Sequence, residues 1–149
     1  GQQFNNATVR IDEAGRVHID APDYEVAPPA EKVHLKPYRL APGEGVLVMF
    51  ESMAHGQTGM TVQVIVNGKA ILDKLDPMQV VHELLPNLKP GKNAVEIKLS
   101  RGDGKGAMTM NLVVGGLRGT NIEMTEQLAS ENVDLPRHGI KSFLLELTK

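Results

Sequence analysis

Short stretches in which apolar and polar residues alternate recur along this chain, and turn-forming residues separate them. In 8–20, Val9 and Ile11 alternate with polar neighbours, Glu13-Ala14-Gly15 supplies a turn, and Val17 and Ile19 resume the alternation, which predicts a β-hairpin. Residues 46–51 (VLVMFE) and 60–71 (MTVQVIVNGKAI) predict strands. The second stretch contains Asn67-Gly68, the strongest short hairpin signal in the sequence. Met60, Val62, Val64 and Val66 share one face of that strand. Further on, Val95, Ile97 and Leu99 alternate with Glu96 and Lys98, while Met108, Met110, Leu112 and Val114 form a second inward row. Residues 140–147 (IKSFLLEL) read as a last strand. RGDGKG (101–106), with its three glycines, reads as an exposed, mobile turn.

Two stretches point to helix instead. In 76–85 (DPMQVVHELL) Asp76 stands as an N-cap, Pro77 occupies the first helical position and Gln79 follows three residues after the cap. The β-branched Val80 and Val81 count against it. Residues 125–132 (TEQLASEN) suit about two helical turns. Segment 21–45 holds more than half of the nine prolines, which predicts extended edge segments and loops, with KVHL (32–35) as a short strand. The sum is a mainly β chain: a single antiparallel β-sandwich over 1–149, jelly-roll or immunoglobulin-like, with one or two short helical turns. It includes an N-terminal hairpin at 8–20 and the proline-rich segment 21–45.

Composition narrows the possible roles. The 149 residues are 41 % hydrophobic and 23 % charged, a globular balance that one core can satisfy. A net charge of −2 without a basic cluster argues against nucleic acid as a partner. With no cysteine, the chain has no disulfide, thiolate zinc site or thiol nucleophile. No apolar run approaches the roughly 20 residues that span a bilayer, so the expectation is a soluble chain without membrane insertion. It opens on Gly1 rather than methionine, which suggests a processed chain or a piece of a longer one.

The segment VQVIVNGKAI, the turn Lys89-Pro90-Gly91-Lys92-Asn93 and the alternating strand after it, about residues 62–114, carry a resemblance. They are similar to galactose-binding-like and immunoglobulin-like β-sandwich accessory modules of secreted and cell-envelope proteins. That resemblance implies a sandwich in the periplasm, at the cell surface or outside the cell. It brings no functional residue with it. The chain departs from carbohydrate-binding relatives in lacking tryptophan; its aromatics are Phe4, Tyr24, Tyr38, Phe50 and Phe143, few for stacking on a sugar face.

Candidate chemistry centres on MFESMAHGQTGM (49–60). Met53, His55 and Met60, with Met49 nearby, offer thioether and imidazole ligands suited to Cu(I). The competing reading makes Met60, Met108 and Met110 core fillers, because each continues an apolar strand face. The serines lack the G-x-S-x-G elbow, His82-Glu83 lacks the second histidine of a metal helix, and the glycines of RGDGKG do not form a phosphate loop. No catalytic residue is therefore assigned. Arg101-Gly102-Asp103 resembles an integrin-recognition tripeptide, and Arg101, Asp103 and Lys105 are candidate loop contacts. The resulting expectation is a non-catalytic binding or assembly module of a larger envelope, secreted or surface-associated system. It would meet a protein partner or other domains, or a second copy of itself, through sheet edges, namely 21–45 and the last strand at 140–147. A periplasmic copper-binding protein and a carbohydrate-binding module are the alternatives.

Overall fold

The computed structural model describes residues 8–11, 13–15, 17–20, 30–54, 57–118 and 121–149. In chain order the strands are β1 (Thr8–Ile11), β2 (Val17–Asp20), β3 (Glu31–His34), β4 (Tyr38–Arg39), β5 (Gly45–Ser52), β6 (Met60–Val66), β7 (Lys69–Leu75), β8 (Gln79–Glu83), β9 (Lys92–Arg101), β10 (Met108–Arg118), β11 (Asn121–Val133) and β12 (Ile140–Thr148). β1 and β2 form the expected hairpin, Thr8 opposite Asp20 and Ile11 opposite Val17. The others form two sheets packed face to face as a β-sandwich. One has the order β11-β10-β5-β8; the other runs β3-β12-β9-β6-β7, with β4 also on β12.

The strands form where period-two patterning offers one apolar face. Val46, Val48 and Phe50 of β5 and Met108, Met110, Leu112 and Val114 of β10 meet Met60, Val62 and Val64 of β6, Val95, Ile97 and Leu99 of β9, and Phe143, Leu145 and Leu147 of β12. All are essentially inaccessible to water. Removing one such side chain from water contributes about 1.5–3 kcal/mol, so these rows supply the main drive to fold. Met60, Met108 and Met110 are part of this core, where the unbranched thioether adapts to the space between the sheets.

Several expectations are corrected. Residues 79–83 are strand β8, antiparallel to β5, and the only helical turn among the described residues is the 3-10 turn Leu85–Asn87. Val80 packs on the core and Val81 points out, an alternation that β-branched residues favour. Asp76 does not cap a helix; it has φ +48 and binds Thr58. Residues 125–132 lie within β11, paired along β10 with two register shifts, so sheet pairing overrides the helical leaning of Glu, Gln, Leu and Ala. β12 is no edge. β9 pairs with it on one side, and β3 and β4 run parallel to it on the other, one departure from the antiparallel pattern. The proline-rich segment does supply an edge there: Pro37 has no amide to donate and falls between β3 and β4.

Lys141 joins the two sheets. It sits opposite Leu99 on the inward side of β12, with its ammonium bonded to Glu131 of β11, 3.6 Å from Glu31 of β3 and 5.5 Å from the Phe143 ring centre. Burial works against its charge, but the Glu131 carboxylate, helped by Glu31, outweighs burial and raises its pKa above 10.5.

Candidate functional site

The outer face of the larger sheet carries a groove of about 800 Å³. Its floor comes from two stretches in which the alternation gives way to unbroken apolar runs, VIV (64–66) and FLL (143–145). Each therefore places one apolar side chain on the outer face. Leu144 of β12 lies opposite Glu96 of β9, and Glu96 lies opposite Ile65 of β6, making a row across three strands. The next row sets Glu146 opposite Ala94, whose small side chain deepens the centre. Leu35 and Pro37, between β3 and β4, form one wall, and the Asn67-Gly68 turn forms the other. Leu35 donates its amide to the Leu144 carbonyl at 2.9 Å, which fixes the first wall to the floor.

Asn93 anchors the second wall from beneath. It is buried, and its Nδ2 donates to the carbonyls of Lys89 (2.9 Å), Gly91 (3.0 Å) and Leu147 (3.2 Å). Its Oδ1 accepts from the Lys89 amide and from Asn67 Nδ2, each at 2.9 Å. Asn67 Oδ1 accepts in turn from the Ala94 amide at 2.9 Å. One side chain thus ties the 89–91 turn, the end of β12 and the 67–68 turn. At the rim, Lys92 and Glu146 lie 3.9 Å apart and are both well exposed, a pair that solvent screens.

The residues expected from sequence are distributed differently. Met60 is fully enclosed in the core, Met53 is 58 % exposed, and Met49 faces outward on the smaller sheet, opposite Val81 and Asn111. Met49 and Met60 therefore share no centre; His55 lies outside the described residues. Arg101 is the clearest correction. The inward row of β9 does not stop at Leu99: by parity it runs from Asn93 through Val95, Ile97 and Leu99 to Arg101, whose side chain is 1 % exposed. Its guanidinium donates to the carbonyls of Leu135 (2.9 Å), Thr58 (2.8 Å) and Gly106 (2.7 Å) and to Asp134 Oδ1 (2.7 Å). A side chain held in this way is not presented at a loop tip, so no Arg-Gly-Asp surface exists. Asp103 is exposed and paired with Arg137 Nε at 2.9 Å, and Lys105 is exposed beside it.

The RGDGKG segment is also not a free turn. Gly102 donates to the Gly59 carbonyl at 2.9 Å, and a Cβ at Gly59 would lie 1.6 Å from the Asp103 carbonyl oxygen, so the two backbones touch. Tyr38 is half-buried against the core with its hydroxyl donating to Glu44 (3.2 Å), and burial, then Glu44 and Glu126, raises its pKa. It is no open platform for a sugar; Tyr24 lies outside the described residues.

Leu144, Ile65, Ala94 and Glu96 were missed because attention to inward positions treats outward ones as solvated. The signal that finds them is an apolar residue at an outward parity, which in the central strands of the larger sheet falls at Ile65 and Leu144, both opposite Glu96. Set against family models, curated proteins and solved structures, the chain matches none of them.

Proposed function

We propose that this chain is a non-catalytic β-sandwich module that holds a protein partner in the groove on the outer face of its larger sheet. The observation that carries this reading is the groove itself: Pro37, Ile65 and Leu144 put apolar surface on a face that the sandwich does not need for its own core. An exposed apolar depression rimmed by polar residues is the usual signature of an interaction site. Its walls are held by backbone bonds and by Asn93, so a partner meets a preformed shape and loses little to ordering it. Among the described residues, the groups whose titration the fold displaces, Tyr38, Asp76 and Lys141, serve contacts within the fold. Among the described residues β7, β8 and β11 are paired on one side only, and these edges are secondary candidates. Charges on β7 (Lys69, Asp73, Lys74) and bulges on β11 discourage strand addition there. The setting we assign is a larger envelope, secreted or surface-associated assembly, supported by the resemblance of residues 62–114.

The test places a photo-crosslinking amino acid at position 94, in the groove, and at position 132, on the exposed outer side of β11. In an extract of the source cells, position 94 should capture one dominant protein, competed away by unlabelled wild-type chain. A crosslink to a second copy of the chain would make the module a self-assembling one. Position 94 capturing nothing beyond position 132 would remove the reading.

A further inference from the structure

We infer that the segment bound in this groove presents a lysine or arginine flanked by apolar residues, and that Glu96 receives its charge. This rests on the groove being the protein-binding site. Glu96 stands on the floor between Leu144 and Ile65, half-buried, and its carboxylate makes no hydrogen bond or ion pair with the described residues. The second acid, Glu146, has Lys92 beside it at 3.9 Å. Apart from the exposed His34 imidazole beside Leu144, the groove therefore holds two carboxylates against one ammonium, and the unbalanced one is the more enclosed.

A ligand that covers the floor strips water from Glu96. A wholly apolar ligand would leave a buried, unpaired carboxylate, which is strongly unfavourable, and an acidic one would add repulsion. A basic side chain turns the same burial into a charge-assisted hydrogen bond while its neighbours cover Leu144 and Ile65. Its aliphatic stem suits an apolar wall such as Pro37. The dimensions agree with a short extended segment. From the β3–β4 wall to β6 is three inter-strand steps, about 14 Å, the reach of about four extended residues.

The experiment pans a random heptapeptide phage library on the full chain, with the groove-filling variant Ala94→Phe as counter-selection. Phenylalanine suits a strand, and thermal unfolding confirms that this variant is folded. Peptides selected on wild type should share a lysine or arginine between apolar residues. The best of them, synthesised and measured by calorimetry, should lose roughly tenfold in affinity to Glu96→Gln, less to Glu146→Gln, and roughly tenfold when its arginine is replaced by citrulline. Neither glutamine variant should change Tm appreciably. Selected peptides without a basic residue, or equal affinity for wild type and Glu96→Gln, would overturn the charge inference and leave the groove reading intact. Absence of enrichment over Ala94→Phe would overturn the groove reading, and the charge inference with it.

Discussion

Truncating Arg101 to alanine should open the end of the sandwich where the 57–59, 102–107 and 134–139 segments meet. The guanidinium serves three carbonyls and one carboxylate, and these partners are not equivalent. Asp134 is 70 % exposed, so it returns to water when the arginine is lost, and the ion pair itself contributes little. The carbonyls differ too: Thr58 is fully enclosed, while Leu135 and Gly106 are only half-buried. Hydrogen bonds from a charged donor contribute about 1.5–3 kcal/mol each when their partners stay dry. Water entering the vacated space can serve Leu135 and Gly106, and relief from burying a charge offsets part of the rest. The expected loss for Arg101→Ala is therefore about 3–5 kcal/mol, with Arg101→Lys costing about 2–3 because one ammonium cannot reach all three carbonyls. Asp134→Ala should cost about 1 kcal/mol or less. Urea unfolding of the four proteins, with a shared m-value, gives these differences directly. Hydrogen exchange should speed up in 57–59 and 104–107 for Arg101→Ala alone. If Arg101→Ala stays within about 1 kcal/mol of wild type, or if Asp134→Ala matches it, the knot described here does not hold that end.

Three further outcomes follow from the same geometry. Asn93→Ala should cost about 2–4 kcal/mol in urea unfolding, because five hydrogen bonds close on one buried side chain, whereas the exposed Asn67→Ala should cost less than half as much. At Asp76, burial opposes ionisation, but bonds from the Thr58 hydroxyl (2.7 Å) and amide (3.0 Å), and from the amides of Gln57 and Gly59, outweigh it and lower the pKa below 3.8. The stability it contributes is present above that ordinary value and lost as pH falls through the lower folded value. Urea midpoints from about pH 5 down to pH 2 should therefore fall more steeply for wild type than for Asp76→Asn, and parallel curves would contradict the assignment. Gly59→Ala combines φ +65 with a Cβ 1.6 Å from the Asp103 carbonyl oxygen and should cost about 3 kcal/mol or more. Gly43→Ala, at φ +82 in open space, should cost only about 1–2 kcal/mol by the same assay.

Local pattern was a reliable guide wherever one face of a strand is buried and the other solvated. The rows Met60-Val62-Val64-Val66 and Met108-Met110-Leu112-Val114 face inward as their alternation requires, and Asn67-Gly68 turns the chain with φ +50 and +81. Pattern misled where pairing competed with propensity. TEQLASEN and DPMQVVHELL carry residues or capping signals that suit a helix, yet β10 and β5 offered them ladders of backbone bonds. It misled again at Arg101, where a charged residue beside glycines reads as surface although its parity in β9 is inward.

The sequence by itself determined the material of this protein: short strands of period two, tight turns at Gly15, Asn67-Gly68 and Pro90-Gly91, a core built from valine, leucine and methionine, and no thiol chemistry. Those properties follow from neighbours along the chain. Tertiary structure alone decided which strands became neighbours, and thereby everything specific to the candidate site. Leu144, Glu96 and Ile65 are separated by up to 79 positions in the sequence numbering and form one row only because β12, β9 and β6 pair in that register. Likewise Arg101 is internal only because segments 58, 106 and 134–135 close over it. Register and loop closure depend on side chains far apart in sequence, so a reading limited to local periodicity predicts the strands and misses the groove they build.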